Sequence, residues 1–398
     1  MSRVTFNTLI LEIGRMTYSV HQHWDPLRVC AVGRSYPPEF YSFITNSRVR
    51  DVMERVAIET EEDYQKLIKL LKSFDVEIVR PKIDEDFSKY LNGNKYMSPI
   101  TMTPRDYTAM IGDQFFMPSV KKSLWDELKG ADWPNQPANN EEFDQLPLSI
   151  RKELSMMWNI TSLSQVRQPS SEFLTPLEDL IKSQGNEILY DLGIDTAMTT
   201  RIGKDLYFGT YNYDDDQVKL LSHYTNLFPD YRCHIVNTGG HSDGTFCPVS
   251  PGLIVSLYDV PTYAETFPGW EVIYLPGQSW DAVRSFLDLK EKNQGKWWVP
   301  GEELNDDFTE FVESWLGHWM GYVEETVFDV NMLVIDEKNV VCNNYNEQVF
   351  SAFDRFGITP HVVNFRHRYF WDGGLHCITS DLHREGVQKD YFPERRLT

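Results

Sequence analysis

The chain has 398 residues, which exceeds the usual size of a single core and predicts either two domains or one large symmetric domain of repeated units. Hydrophobic residues make up 41% of it and aromatic residues 14%, enough apolar material for an extensive core, which excludes a disordered chain. The formal net charge of -21 excludes nucleic acid and anionic membranes as expected partners, because both attract clustered Lys and Arg.

Five cysteines are widely spaced and form no CxxC pair, a pattern typical of reduced thiols rather than of a zinc site or a redox motif. The apolar stretch 8–13 is interrupted by Glu12, and no small-residue cleavage site follows it, which argues against a signal peptide. No apolar run reaches the length of a membrane span. We therefore expect a cytoplasmic protein. The cysteines are Cys30, Cys233, Cys247, Cys342 and Cys377.

A recurring order of elements runs along the chain: an amphipathic helix, a short apolar strand, a polar loop and a β-hairpin. The predicted helices and strands are 56–74 with 76–79, 216–228 with 232–236, 279–289 after strand 271–275, and 346–356 with 361–365. Hairpins are predicted at 109–117, at 206–208 after Gly203, at the turn 251–252 and at 336–339. The irregular spacing favours a closed ring of degenerate α/β units over a solenoid.

Two stretches fall outside this order. Residues 121–183, approximately, mix Pro, Asn, acidic residues and short helical pieces, and we expect a surface excursion there. The second stretch, about 297–322, is rich in tryptophan and has aromatic residues at helical spacing, which favours core packing, with a lid over a site as the alternative. We treat 1–398 as one domain with these two insertions. The aromatic residues are Trp297, Trp298, Phe308, Phe311, Trp315 and Trp319.

Reactive side chains recur in the polar loops beside the predicted hairpins. If the units surround an axis, equivalent loops converge at one end and bring distant residues into one cleft. Each of these residues, considered alone, has an ordinary structural explanation. A cysteine is often a small buried apolar residue, a histidine is often a loop residue, and an aspartate often caps a helix or forms a turn. Their recurrence in equivalent loops favours a shared site. The residues are Asp106, Asp195, His241, Asp243 and Cys377.

A cysteine, a histidine and several carboxylates meet the requirements of a reaction at a guanidinium. Its carbon is a poor electrophile, so carboxylates must accept its N–H groups and fix its plane while a thiolate attacks. A histidine then protonates the departing amine, and neither a metal nor another cofactor is required. Glycine pairs before His241 and Cys377 suit a close approach of a ligand. His376 is expected to point away from Cys377, because neighbours in an extended segment face opposite sides.

Several ordered blocks of the sequence together carry a family resemblance. The blocks are 24–27 with 32–34, 104–106, Asp195 with 201–205, 229–232, 241–246, 331–338, and 373–377 with Asp381. They resemble the amidinotransferases of the pentein superfamily, typified by glycine amidinotransferase, and the resemblance covers most of the chain. It implies an α/β fold, a five-unit pseudo-symmetric propeller (pentein fold) built from repeated ββαβ units.

The resemblance also implies roles. Cys377 would be the nucleophile and His241 the general acid and base, with Asp195 orienting His241. Asp106 and Asp243 would hold the guanidinium. The implied reaction is ping-pong transfer of an amidino group from a guanidino donor to an amine through a covalent amidino-cysteine. L-arginine is the leading candidate for the donor. The wider substrate-binding set adds Arg105, Glu324, Glu325 and Asn331.

The sequence departs from the glycine enzyme where the amino-acid part of the substrate binds. In that enzyme an arginine follows the His-x-Asp hairpin, and a serine pair precedes an Asn-containing strand. Counting from the matching blocks places Val260 at the first position and Glu324 and Glu325 at the second. Acidic residues there favour an acceptor without a carboxylate, such as a polyamine-like or aminocyclitol amine, or else form surface salt bridges. Glycine stays open as the acceptor.

Two other classes of protein compete with a transferase. A guanidino hydrolase of the same superfamily, of the arginine or agmatine deiminase type, uses the same residues with water in place of the amine. A non-enzymatic binding protein on this fold would have no reason to keep all five reactive residues. The expected partners are a small guanidino donor and an amine acceptor, and a homodimer is a further candidate assembly.

Overall fold

The computed structural model describes residues 17–92, 96–97, 101–117, 140–148, 150–151, 171–190, 194–210, 215–238, 241–257, 262–275, 299–316, 330–371 and 373–395. Several sequence predictions therefore lie outside the described residues. They are the helix at 279–289, much of both predicted insertions including Trp297, Trp298 and Trp319, and the positions Val260, Glu324 and Glu325.

Short strands and helices alternate along the described chain. The strands are β1 Leu27–Val32, β2 Glu77–Val79, β3 Leu91–Asn92, β4 Tyr96–Met97, β5 Ala109–Ile111, β6 Gln114–Phe116, β7 Ile188–Leu189, β8 Thr199–Ile202, β9 Asp205–Thr210, β10 Arg232–Asn237, β11 Phe246–Ser250, β12 Leu253–Ser256, β13 Glu271–Tyr274, β14 Leu333–Asp336, β15 Asn339–Cys342, β16 Thr359–Val362 and β17 Thr379–Arg384. The α-helices are α1 Ser47–Lys72, α2 Asn140–Asp144, α3 Thr175–Ser183, α4 Asp215–Leu227, α5 Ser242–Thr245, α6 Tyr263–Thr266, α7 Asp306–Trp315, α8 Glu347–Phe356 and α9 Arg368–Trp371.

Within the described residues, five three-stranded sheets repeat one order. In each, two antiparallel strands are followed by a third strand that lies parallel to the second one. Four of these sheets use strands consecutive in the chain: β5-β6-β7, β8-β9-β10, β11-β12-β13 and β14-β15-β16. In the fifth, β17 pairs with β1, so the last described strand shares a sheet with the first. The predicted hairpins are all present.

Local sequence explains the hairpin turns. Gly112, Gly203 and Gly252 have φ values of 60°, 62° and 89°, in the left-handed region that favours glycine and suits tight hairpin turns. At Gly203 a side chain is also excluded by contact, since a Cβ there would lie 2.0 Å from the carbonyl oxygen of Lys389. The turn residues therefore fix the register of the paired strands.

The helix ends follow the capping rules. α1 begins at Ser47, well before the predicted start at residue 56, because the Asn46 side chain accepts hydrogen bonds from the amides of Arg48 and Val49. The predicted stop of α8 at Gly357 is confirmed by its φ of 68°. The strand predicted at 361–365 instead runs over 359–362 as β16.

Parts of both predicted insertions belong to the packed core. In α3, between β6 and β7, Leu177 and Ile181 are fully buried, so the predicted excursion does not extend to residue 183. In α7, Phe308 and Phe311 join the apolar cluster that contains the buried face of α1. For α7 the aromatic spacing therefore marks packing rather than a lid. In the described part of the chain, no helix is both long and apolar enough to cross a bilayer.

A buried charged cluster joins four of the sheets. The Asp381 carboxylate accepts hydrogen bonds from Arg105 and Arg201 at 2.7 and 2.8 Å and from Arg384 at 2.6 Å. Arg201 also donates to the carbonyl oxygen of Met110, and Arg384 to that of Val334, which lie in two further sheets. None of the four charged side chains is more than 1% exposed. We call these four residues the Asp381 cluster.

Candidate active site

Cys377 lies in a turn immediately before β17 and is 3% exposed. Backbone hydrogen bonds fix this turn on both sides: the Gly33 amide donates to the carbonyl oxygen of Ile378 at 2.9 Å, and the Arg105 amide to that of Cys377 at 3.4 Å. The thiol is therefore held where the end of β1 meets the loop that precedes β5.

The Asn331 side chain, which is 0% exposed, contacts the thiol directly. Its Nδ2 donates to Cys377 Sγ at 3.0 Å, and its Oδ1 accepts the amides of His376 at 2.8 Å and Cys377 at 3.3 Å. A Cβ at Gly374 would lie 2.4 Å from that Oδ1, so glycine permits the approach. The sequence predicted that Asn331 binds the substrate. This prediction is corrected, because both ends of its carboxamide are hydrogen-bonded to other groups of the protein.

Asp243 receives the side chains of two consecutive residues. Its Oδ2 accepts from His376 Nδ1 at 2.8 Å and from Cys377 Sγ at 3.4 Å. The expectation that His376 points away from Cys377 is therefore wrong. The physical reason is that residues 375–378 form a turn, in which neighbouring side chains do not alternate as they do in a strand. The other oxygen of Asp243, Oδ1, is buried and has no hydrogen-bond partner among the residues that the structure describes.

Asp106 presents a second incomplete carboxylate. Its Oδ2 accepts from Thr103 Oγ1 at 2.5 Å, whereas its Oδ1 is buried and receives no hydrogen bond from the described part of the chain. Burial raises the pKa of Asp106 to about 7, and the negative charges of Asp243 and Asp195 add to the rise, partly opposed by His241 and Thr103. Each carboxylate thus keeps one oxygen for a ligand.

His241 and Asp195 lie in loops beside these carboxylates. His241 is half-buried at the start of α5, and its charge acts on both Asp106 and Asp243. Asp195 Oδ1 accepts the amides of Ala197 at 3.1 Å and Met198 at 3.3 Å, so this carboxylate also orders its own turn. Ser242 Oγ donates to the carbonyl oxygen of Met198 at 2.8 Å, which ties the two loops together.

Arg105 occupies a different place from the one expected. Its guanidinium is 1% exposed and is engaged with Asp381 in the Asp381 cluster, so it is not available as a substrate contact. Its charge still reaches the site, where it acts on Asp243 and His376. Of the sequence-predicted residues, the site brings together Cys377, His241, Asp195, Asp106, Asp243 and, beneath the thiol, Asn331.

The surroundings shift the pKa values of the Cys377 thiol and the Asp243 carboxyl in opposite directions. Burial raises the pKa of the Cys377 thiol well above its ordinary value, and the charges of Asp243 and Asp106 raise it further. Burial alone would also raise the pKa of Asp243, but the hydrogen bond and charge of His376, with His241 and Arg105, outweigh burial and lower it. The unliganded site therefore holds a neutral thiol against an ionised carboxylate.

Curated relatives match the chain over most of its length. Mitochondrial glycine amidinotransferase of Xenopus laevis is 23% identical over 94% of this chain and 84% of that protein. Over most of its length the chain is similar to the amidinotransferases. L-arginine:L-lysine amidinotransferase of Pseudomonas savastanoi pv. phaseolicola is 25% identical over 54% of this chain and 52% of that protein. No model of a protein family matches the chain.

Solved structures of two amidinotransferases share the fold. SxtG from the saxitoxin biosynthetic pathway of Microseira wollei has a TM-score of 0.56 and 17% identity, covering 94% of this chain and 100% of that one. Inosamine-phosphate amidinotransferase StrB1 of Streptomyces griseus has a TM-score of 0.58 and 16% identity, covering 94% and 99%. The α/β fold predicted for the chain is that of these amidinotransferases.

Proposed function

We propose that the chain transfers an amidino group from a guanidino donor to an amine through a covalent amidino-cysteine at Cys377. The observation that carries this proposal is a pair of buried oxygens near the thiol, Asp243 Oδ1 and Asp106 Oδ1, for which the described residues provide no hydrogen-bond donor. A buried carboxylate oxygen without a donor costs free energy, and a guanidinium supplies planar N–H donors with the complementary charge.

The proposed reaction conserves atoms and charge at each step. The thiol proton passes to His241, Cys377 Sγ bonds to the guanidinium carbon, and a tetrahedral adduct forms. The bond to the departing nitrogen then breaks as His241 returns the proton to it, which leaves an amidino-cysteine and a free amine. An incoming amine attacks the same carbon and loses a proton to His241. The C–S bond then breaks, and the departing Cys377 thiolate takes this proton back from His241 to restore the thiol. Asp195 orients His241 in this scheme.

Binding of the donor also activates the nucleophile in this proposal. The charges of Asp243 and Asp106 add to the burial that raises the thiol pKa of Cys377. A guanidinium between these carboxylates neutralises them and brings a positive charge beside the sulfur, so the thiol pKa falls when the donor binds. Asn331 Nδ2, 3.0 Å from Sγ, supports the thiolate through a hydrogen bond.

We propose L-arginine as the donor and a five-unit closed propeller as the framework. The Pseudomonas relative is an L-arginine:L-lysine amidinotransferase, and this supports L-arginine as the donor. The five sheets of one order, with the chain's first and last described strands paired, support closure of the ring. The acceptor follows from sequence alone: Val260, Glu324 and Glu325 favour an amine without a carboxylate.

Product analysis tests the proposal. The purified chain is incubated with L-arginine alone and with L-arginine plus each of a set of amines, and the products are identified by mass spectrometry. With an accepted amine we expect ornithine and a new guanidino compound to accumulate over many turnovers, whereas without an amine ornithine should stop at about one equivalent per chain, the amount released when the amidino-enzyme forms. Citrulline and ammonia without an added amine would instead establish hydrolysis and contradict transfer.

Asp106→Asn is expected to lower kcat/KM for the donor about tenfold to hundredfold, the usual worth of a hydrogen bond to a charged group. In the unmodified protein kcat/KM should fall as the pH drops below about 7, because protonation of Asp106 removes its charge. This fall in kcat/KM at low pH should be absent from the Asp106→Asn variant. Initial rates measured across pH provide the test, and an unchanged fall in the variant would disprove the assignment to Asp106.

The same change is expected to stabilise the fold at pH 8. The pKa of Asp106 is higher in the folded than in the unfolded chain, so its ionisation lowers stability progressively as the pH rises from about 4 to about 7. Asparagine removes that cost, and thermal denaturation should show a higher midpoint at pH 8 but not at pH 4. Asp113→Asn, at an exposed turn position of the hairpin that follows Asp106, is the matched control and should change neither property.

A further inference from the structure

We propose that His376 is a positioning residue that holds Asp243 Oδ2 in place, so that Asp243 Oδ1 stays directed at the guanidinium of the donor. This inference rests on the proposed function. His376 was not expected to contribute, because its neighbour relation to Cys377 suggested an outward side chain. The structure instead puts its imidazole 2.8 Å from the carboxylate that also receives the thiol.

Hydrogen bonds hold both the backbone and the side chain of Asp243 in place. Its backbone carbonyl oxygen accepts from Asn331 Nδ2 at 3.2 Å, which fixes the main chain. Its side chain is fixed at Oδ2 by His376 Nδ1 at 2.8 Å, while the contact from Cys377 Sγ at 3.4 Å is longer and is lost when the thiol reacts. After that reaction, His376 is the described donor that still prevents rotation of the carboxylate.

His376 is itself well anchored. It is 7% exposed, its amide donates to Asn331 Oδ1 at 2.8 Å, and its ring lies against that of His23 with centroids 5.7 Å apart. The charged groups that act on it are Asp243, Arg105, Asp381 and, when protonated, His23. The imidazole therefore has a fixed position from which to donate.

The protonation state of the pair follows from the same surroundings. Burial lowers the pKa of His376, and the charge of Arg105 lowers it further, against the opposing effect of Asp243. The ring is consequently neutral at neutral pH, whereas Asp243 is ionised. An ionised carboxylate only accepts hydrogen bonds, so the single ring proton of His376 must be on Nδ1. This tautomer is the one that a positioning role requires.

Two isosteric amides separate positioning from packing. In His376→Asn the side-chain amide nitrogen takes the place of Nδ1, whereas in His376→Gln it takes the place of Nε2, and both variants are neutral and polar. We expect H376Q to lower kcat/KM for L-arginine about tenfold to hundredfold, the usual effect of losing a hydrogen bond to a charged group. H376N should recover most of this loss. Should H376Q not fold, H376L provides a second variant without a donor at the Nδ1 position.

Binding measured without turnover completes the test. In a Cys377→Ala background, titration calorimetry with L-arginine should show the dissociation constant raised by H376Q about as much as kcat/KM falls, and restored by H376N. Equal losses in H376N and H376Q, matched by equal falls in thermal midpoint, would overturn positioning. Suppose that the wild-type chain transfers no amidino group, but H376Q still binds L-arginine more weakly than the chains with His376 or H376N. The proposed function then fails while the role of His376 stands.

Discussion

Replacing Cys377 with alanine is expected to abolish amidino transfer, with a fall in kcat of about four to six orders of magnitude, as found when a covalent nucleophile is removed. Alanine cannot form the amidino-enzyme, and a direct reaction between donor and acceptor would require both in one site. The measurement is the initial rate of ornithine formation from L-arginine in the presence of an accepted amine. Substantial turnover by the variant would rule the covalent scheme out.

A second measurement identifies the intermediate itself. Incubation of the unmodified protein with L-arginine in the absence of an acceptor should add the mass of one amidino group to the intact chain, and digestion should locate it on Cys377. Cys233→Ala is the matched control, since Cys233 is another buried thiol on β10 outside the site. We expect this control to keep its activity and to acquire the adduct.

Asp381→Asn is expected to destabilise the fold by about 3–5 kcal/mol, the cost found when one partner of a buried ion pair is removed. Three buried guanidinium groups would then surround a neutral amide, with no carboxylate to offset their desolvation. Because Asp381 is also on the strand that follows Cys377, the loss should disturb the active-site turn. Equilibrium unfolding in urea gives the free energy of unfolding directly.

The stability lost in Asp381→Asn should change with pH in a definite direction. Burial alone would raise the pKa of Asp381, but the charges of Arg201, Arg105 and Arg384 outweigh burial and hold it well below its ordinary value. A depressed pKa gives stability that is present above the unfolded value of about 3.9 and is lost as the pH falls further. The difference between wild type and variant should therefore be full at pH 7 and smaller in strong acid.

An exposed ion pair provides the control for Asp381. Asp84 lies 2.7 Å from Lys89 on the surface, so Asp84→Asn makes the same chemical change in a pair that water screens. We expect a change much smaller than that caused by Asp381→Asn, because water screens the exposed pair. A comparable loss in the two variants would contradict the importance given to burial of the Asp381 cluster.

Some assignments stay predictions after the structure is known. The cytoplasmic location is one of them, and the vertebrate relatives are named as mitochondrial proteins. The preference for an amine without a carboxylate is another, because Val260, Glu324 and Glu325 lie outside the described residues. The acceptor screen described above addresses the second of these directly.

The sequence by itself determined the local elements and the reactive residues. Turn glycines such as Gly112 and Gly203 and the Asn346 and Gly357 caps act over a few neighbouring residues, so the hairpins and the end of α8 could be predicted from them. The five reactive residues could be selected because their chemical types recur in equivalent loops. The matching blocks predicted the similarity to amidinotransferases.

Only the tertiary structure decided what each side chain contacts. Asp243 and Cys377 are 134 positions apart, and His376 reaches that carboxylate because a turn replaces the expected extended segment. Asn331 lies beneath the sulfur, and Arg105 is bound by Asp381, since these contacts depend on how whole sheets assemble. Hydrogen bonding between distant segments leaves no periodic trace in the sequence, and therefore the unpartnered oxygens of the site became visible only in the folded chain.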